Sequence, residues 1–172
     1  MARIPYPDLK ALAPETQDQL AKLAPLNVFR MLAGSEGLLA PFVRLGNHLW
    51  HKAKLTPVLR EVAILRVGAL SDARYEVFQH QRIARSLGMS EALIAGIAGG
   101  PDDPALDDLQ RLVVRFTDEL VHDVRVSDRT FEAASARLSV QELQELTVLV
   151  GYYMTVSRFL ETFGVEIEVP PG

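Results

Sequence analysis

Leu55-Thr-Pro-Val-Leu-Arg-Glu-Val-Ala-Ile-Leu-Arg-Val-Gly-Ala-Leu70 is followed, after Ser71-Asp72, by Ala73-Arg-Tyr-Glu-Val-Phe-Gln-His-Gln-Arg-Ile-Ala-Arg-Ser-Leu-Gly88. Thr56-Pro57 is a strong helix start: the hydroxyl can cap, and a proline in the first helical position gives up no donor the helix needs. From Val62 to Leu70 the only charge is Arg66, so this helix is expected to be buried nearly all round. The next helix should run from about Ala73 to Leu87 and close on Gly88 in a left-handed conformation. A turn of two residues forces the pair to lie antiparallel. Glu61 and His80, about ten and eight residues from that turn, then sit at similar depth.

Glu76 and His80 are four apart and share one helical face. A carboxylate beside an imidazole raises its pKa and can orient the ring, giving a group that exchanges protons near neutral pH. Glu61 lies in the most apolar segment and there needs a partner or a proton. The same three residues also suit a plain scaffold, in which Glu61 pairs with Arg60 or Arg66 and the i, i+4 pair is a surface contact.

Outward from this pair the rest of the chain also reads as helices. Pro5, Pro7 and Pro14 keep the first dozen residues extended, with a short helix from Glu15 to Leu23 closed by Pro25, so that residues 1–26 form an arm. Asn27 is expected to cap a helix holding Val28, Phe29, Met31 and Leu32, and Gly34-Ser35 breaks it. A further stretch runs from Glu36 to about Lys52, ended or kinked by Pro41. Ser90 caps a helix from Glu91 to about Ala98, and Gly99-Gly-Pro-Asp-Asp-Pro104 is a loop. Leu109, Leu112, Val113, Phe116, Leu120 and Val121 recur at helical spacing. Ser127 starts another helix, and Ser139-Val-Gln-Glu142 is a capping box for a long one reaching Phe163, with Leu143, Leu146, Val150, Tyr153 and Leu160 in one stripe. Only Val165 to Val169 alternates like a strand, and one segment builds no sheet. The fold class is all-α, a single domain over residues 1–172.

Composition narrows the chemistry. With no cysteine there is no disulfide, thiolate nucleophile or zinc–thiolate site. The net charge is −4, from 18 basic and 22 acidic residues, and no basic stripe tracks a phosphate backbone, so nucleic acid is not an expected partner. No apolar run spans a bilayer and no secretory signal opens the chain, which points to a cytoplasmic protein without membrane association. A hydrophobic content of 48% and a mean hydropathy of +0.10 suggest apolar surface that other copies of the chain cover. His48 and His51 lack accompanying carboxylates and Gly99-Gly100 lacks a phosphate-loop context, so neither a metal nor another cofactor is expected.

Residues 55–98, taken together, resemble the core of the carboxymuconolactone decarboxylase and alkylhydroperoxidase D-like superfamily. In its peroxidase branch a Glu precedes a C-x-x-C pair by twelve residues and a His follows by four. Those positions hold Glu61, Ala73, Glu76 and His80 here, so both cysteines are missing. The decarboxylase branch lacks the redox pair and carries E-x-x-x-H, which Glu76 and His80 match; Asn27-Val-Phe-Arg-Met-Leu and Val150-Gly-Tyr-Tyr are similar to a cysteine-free subgroup. The resemblance implies a helical bundle of the alkylhydroperoxidase D-like type, assembled as a homotrimer or homohexamer. It implies a lyase or isomerase-like enzyme acting without a cofactor on a small organic acid or lactone. On this reading His80 is the general acid or base, Glu76 orients it, and a Glu61 raised by burial supplies a second proton. Tyr75, Tyr153 and Arg82 are candidate substrate contacts, Arg82 for a carboxylate. The alternatives are a helical oligomer that binds a small ligand without catalysis, and a peroxidase, which lacks the thiolate it would need.

Overall fold

Helix α4, Pro57–Leu70, is the axis of the molecule, and the computed structural model describes it within residues 1–168. Thr56 caps it by accepting from the Leu59 N–H. Leu59 to Leu65, Val67 and Gly68 are all buried, the charged Arg60 and Glu61 included. A helix without a solvated face must be covered on every side. Here α5 (Arg74–Ser86), α6 (Glu91–Gly99), α7 (Asp108–Asp123) and the 24-residue α9 (Val140–Phe163) all pack on it. Burying each of Val62, Ile64 and Val67 completely contributes about 1.5–3 kcal/mol.

Helices α1 (Pro14–Leu20), α2 (Asn27–Leu32) and α3 (Leu39–His51) precede this core, and α8 (Asp128–Ser135) connects α7 to α9. Among the described residues there is no strand, so the fold is all-α. Residues 165–168 are irregular, and Val169, the end of the alternating run, lies outside the described residues.

Several local expectations give way to tertiary contacts. Asn27 does not cap α2; it is the first helical residue, and its amide donates to the Glu166 carbonyl while its side-chain oxygen accepts from Arg30. Pro41 neither ends nor kinks α3, because α3 starts at Leu39 and the proline falls in the first turn, where its missing N–H costs nothing. The first residues are not wholly extended, since Asp8 caps a 3₁₀ turn over Leu9–Ala11. The capping box at Ser139 forms, and Asp107 with Gln110 makes a second one on α7.

Between α4 and α5 the chain turns through Ser71 and Asp72, with Asp72 left-handed at φ 48° and the Ala73 N–H donating to the Gly68 carbonyl. A Cβ on Gly68 would stand 2.9 Å from a Val77 methyl, so the glycine allows the two helices to close. At the other end of α4, the buried Glu145 of α9 accepts from the backbone N–H groups of Lys54 and Leu55. That contact ties α9 to the segment leading out of α3.

Candidate functional site

Glu61, Glu76 and His80 converge where α4 and α5 face each other. His80 Nδ1 lies 2.6 Å from Glu61 Oε2, and Nε2 lies 3.0 Å from Glu76 Oε1. The antiparallel turn supplies the first contact and the i, i+4 spacing the second. All three are buried, Glu61 completely. Arg60 Nε approaches the other Glu61 oxygen at 3.4 Å, donates from its terminal nitrogen to the Trp50 carbonyl, and stacks 4.3 Å above the Trp50 ring. Arg66 turns instead to Asp118 and the carbonyls of Ile97 and Ala98.

Burial alone would push the His80 imidazole down. The Glu76 charge, hydrogen bonds to Glu61 and Glu76, and the Glu61 charge together outweigh it and raise His80 from its ordinary 6.5 to about 9. At neutral pH the ring is therefore a cation held between two carboxylates. The buried cluster pairs its two carboxyl groups with His80 and Arg60, which is how such ionisable groups are tolerated inside a helical core.

Glu76 and His80 of this cluster reach a cavity of about 360 Å³, whereas Glu61 and Arg60 do not line it. Glu76 and His80 line it from α5, Gly46 and Trp50 from α3, and Tyr152 and Tyr153 from α9. Trp50 donates to the Tyr153 hydroxyl at 2.8 Å, and Tyr153 meets the His80 ring edge-on with centroids 5.0 Å apart. Burial, and then the nearby Glu76 charge, push the Tyr152 and Tyr153 phenols up, so both keep their protons at neutral pH. A Cβ on Gly46 would come within 2.7 Å of the Tyr152 hydroxyl; the glycine makes room for the phenol.

Of the substrate contacts expected from the sequence, Tyr75 and Tyr153 line the cavity. Arg82 does not: it is exposed and lies over the Phe78 ring at 5.8 Å. Two residues beyond His80 means about 200° around the helix, so a residue there points away from whatever His80 faces. His48 and His51 are exposed; His51 reaches only the rim of the cavity. Among the described residues no cluster of three or more His, Asp or Glu has metal-binding geometry. Sequence reasoning did not find Trp50, Gln79 or Tyr152. The first is the only tryptophan of the chain, a signal in itself, whereas Gln79 carries none.

The fold is of the alkylhydroperoxidase D-like type. Residues 36–105 match the model of the carboxymuconolactone decarboxylase family, a span that contains Glu61, Glu76 and His80. An uncharacterized peroxidase-related protein from Ralstonia eutropha JMP134, described as an alkylhydroperoxidase AhpD core, superposes with a TM-score of 0.85 at 19% identity, over 97% of this chain and 92% of that one. A peroxidase-related protein from Silicibacter sp. TM1040 gives 0.82 at 19%, over 97% and 91%. A protein of unknown function from Agrobacterium tumefaciens, suggested to be an AhpD-type antioxidant defence protein, gives 0.74 at 21%, over 79% and 94%. No curated protein matches the sequence significantly.

Proposed function

We propose that the chain is a cofactor-independent lyase or isomerase-like enzyme that acts by general acid/base chemistry on a small carboxylated or lactone substrate bound in the Trp50–Tyr153 cavity. The observation that carries this reading is an imidazole held at both nitrogens by carboxylates, one of which, Glu76, belongs to the cavity wall. Since neither nitrogen of His80 is free, Glu76 is the group that meets the substrate. His80 stores the proton behind it, and Glu61 with Arg60 fixes the ring. In a decarboxylation the C–C bond to the carboxylate breaks, carbon dioxide leaves, and the electron pair enters a conjugated enolate. The proton held between His80 and Glu76 then goes to the carbon or oxygen. The Tyr152 and Tyr153 hydroxyls, protonated at neutral pH, balance the developing charge.

The peroxidase descriptions of the structural neighbours do not suit this sequence: Ala73 and Glu76 stand where the thiol pair would be, and neither forms a sulfenic acid or disulfide. On the proposed reading the protein works in the cytoplasm as a homotrimer or homohexamer. A second reading, a non-catalytic ligand-binding oligomer, draws support from the balanced charges of the cluster, which suit a rigid scaffold.

A panel of carboxylated lactones and β-keto acids, followed in D₂O by NMR for carbon dioxide loss and deuterium uptake, separates the two. Turnover that falls about 100-fold or more in both His80→Gln and Glu61→Gln, with helicity retained, is the outcome expected of the enzyme. Turnover unchanged in these variants, or none with any compound while they merely melt earlier, overturns it in favour of the scaffold.

A further inference from the structure

Glu168, at the end of the described chain, bonds two residues of the cavity wall without itself lining the cavity. Its Oε1 accepts from the Tyr75 hydroxyl at 2.6 Å and its Oε2 from the Gln79 amide at 2.6 Å; the Asn27 N–H also donates to Oε1. Tyr75 and Gln79 both line the cavity. They sit four apart on α5, one residue ahead of Glu76 and His80 respectively, so the same helix presents a donor pair beside the acid/base pair. Two donors spaced to engage both oxygens of one carboxylate are a recognition element for a carboxylate, and bonds of this kind to an ionised acceptor are among the strongest a neutral side chain makes. Among the described residues no arginine lines the cavity, Arg82 lies outside it, and the lysine that lines it, Lys22, is exposed.

We propose that Tyr75 and Gln79 form the carboxylate subsite of the cavity and that Glu168 is an internal carboxylate which a substrate carboxylate displaces. This deepens the proposed function by naming what holds the substrate's acid group. Glu168 is brought there by contacts that do not depend on a ligand. Met1 pairs with Glu166 at 3.3 Å, Asn27 donates to the Glu166 carbonyl, and Tyr6 accepts from the Glu166 N–H. The arm and α2 thus deliver the tail to the rim. While Glu168 is seated, an incoming acid finds the two donors already engaged. An internal occupant lowers apparent affinity by the fraction of molecules in which the subsite is free.

The single tryptophan lies in the cavity wall, so its fluorescence reports binding without any turnover. Benzoate and 4-oxopentanoate, titrated at pH 7 against the full chain, are suitable probes, with the uncharged methyl esters as controls. Glu168→Gln is expected to bind the acids at least about threefold tighter than the parent and the esters equally well. Tyr75→Phe and Gln79→Ala are expected to bind the acids more weakly in the Glu168→Gln background, with Tyr75→Phe testing loss of a single hydroxyl in a chain that keeps its packing. Acid affinity unchanged or lowered by Glu168→Gln, or equal gains for acids and esters, overturns the proposal. Binding is read apart from catalysis: a tail effect on binding with no turnover leaves the subsite standing and removes the enzyme, whereas His80-dependent turnover without a tail effect does the opposite.

Discussion

His80 owes its charge to two neighbours, and folding therefore changes how tightly it holds a proton. Its folded pKa, raised to about 9, lies above the ordinary 6.5. The stabilisation is complete below about pH 6.5 and is lost as pH rises through 9, by on the order of 3 kcal/mol when the difference is converted at 1.36 kcal/mol per unit. Urea midpoints measured from pH 6 to 10 should fall across this window in the parent and fall less steeply in His80→Gln. Parallel curves for the two proteins would mean that the imidazole is not charged in the folded state. Glu61, Glu76 and His80 were legible because two local rules suffice: i, i+4 spacing joins Glu76 to His80, and a two-residue turn brings Glu61 to the same depth. For Glu61's cationic neighbour the sequence left Arg60 and Arg66 open. That Arg60 takes it, together with Trp50, depends on where α3 ends in space, and Trp50 is ten residues away through an intervening loop. Arg82 misled for a simpler reason: chemical suitability was weighed without the 200° that separates it from His80.

At the scale of elements, the helix starts written in Thr56-Pro57, Ser90, Ser127 and Ser139 are realised because each cap is satisfied within three residues of its own position. Asn27 had the right chemistry for a cap and went elsewhere, since its amide and backbone N–H are taken by Glu166 and Glu168 from the far end of the chain. Local signals lose to distant ones wherever two termini meet. The α4–α5 contact offers a direct test of how finely the site depends on its elements. Gly68→Ala would place a methyl 2.9 Å from Val77 Cγ2, and a β-branched side chain in a helix has little rotamer freedom to yield. We expect a loss of about 1–3 kcal/mol and a displacement of His80 relative to Glu61, read by NMR as a lowered imidazole pKa. Unchanged stability and titration would show that the helix pair separates without cost.

For the molecule as a whole, large apolar residues remain exposed on several elements, among them Leu38 and Leu45 near α3, Phe78 on α5, Phe131 on α8 and Val140 and Val148 on α9. Apolar residues scattered singly over a surface are ordinary, so the expectation of association rests on the proposed reading and is tested by mass. Size-exclusion chromatography with light scattering at micromolar concentration is expected to give three or six copies of the 19.0 kDa chain; a monomer would contradict both the assembly and the use of these faces. Among the described residues no helix is long and apolar enough to cross a membrane.

The turn at Ser71-Asp72 has one more consequence. It confines Glu61, Glu76 and His80, and the Tyr75–Gln79 pair with them, to a single hairpin of two helices, nineteen residues from Glu61 to His80, while the rest of the cavity wall comes largely from α2, α3 and α9. On the proposed reading, reactivity and the shape of the chamber are thus inherited separately. Changes in Phe42, Gly46, Tyr152 or Glu168 can redraw the shape of the chamber without touching the hairpin, so one reactive cassette could serve many different small acids as its surroundings drift.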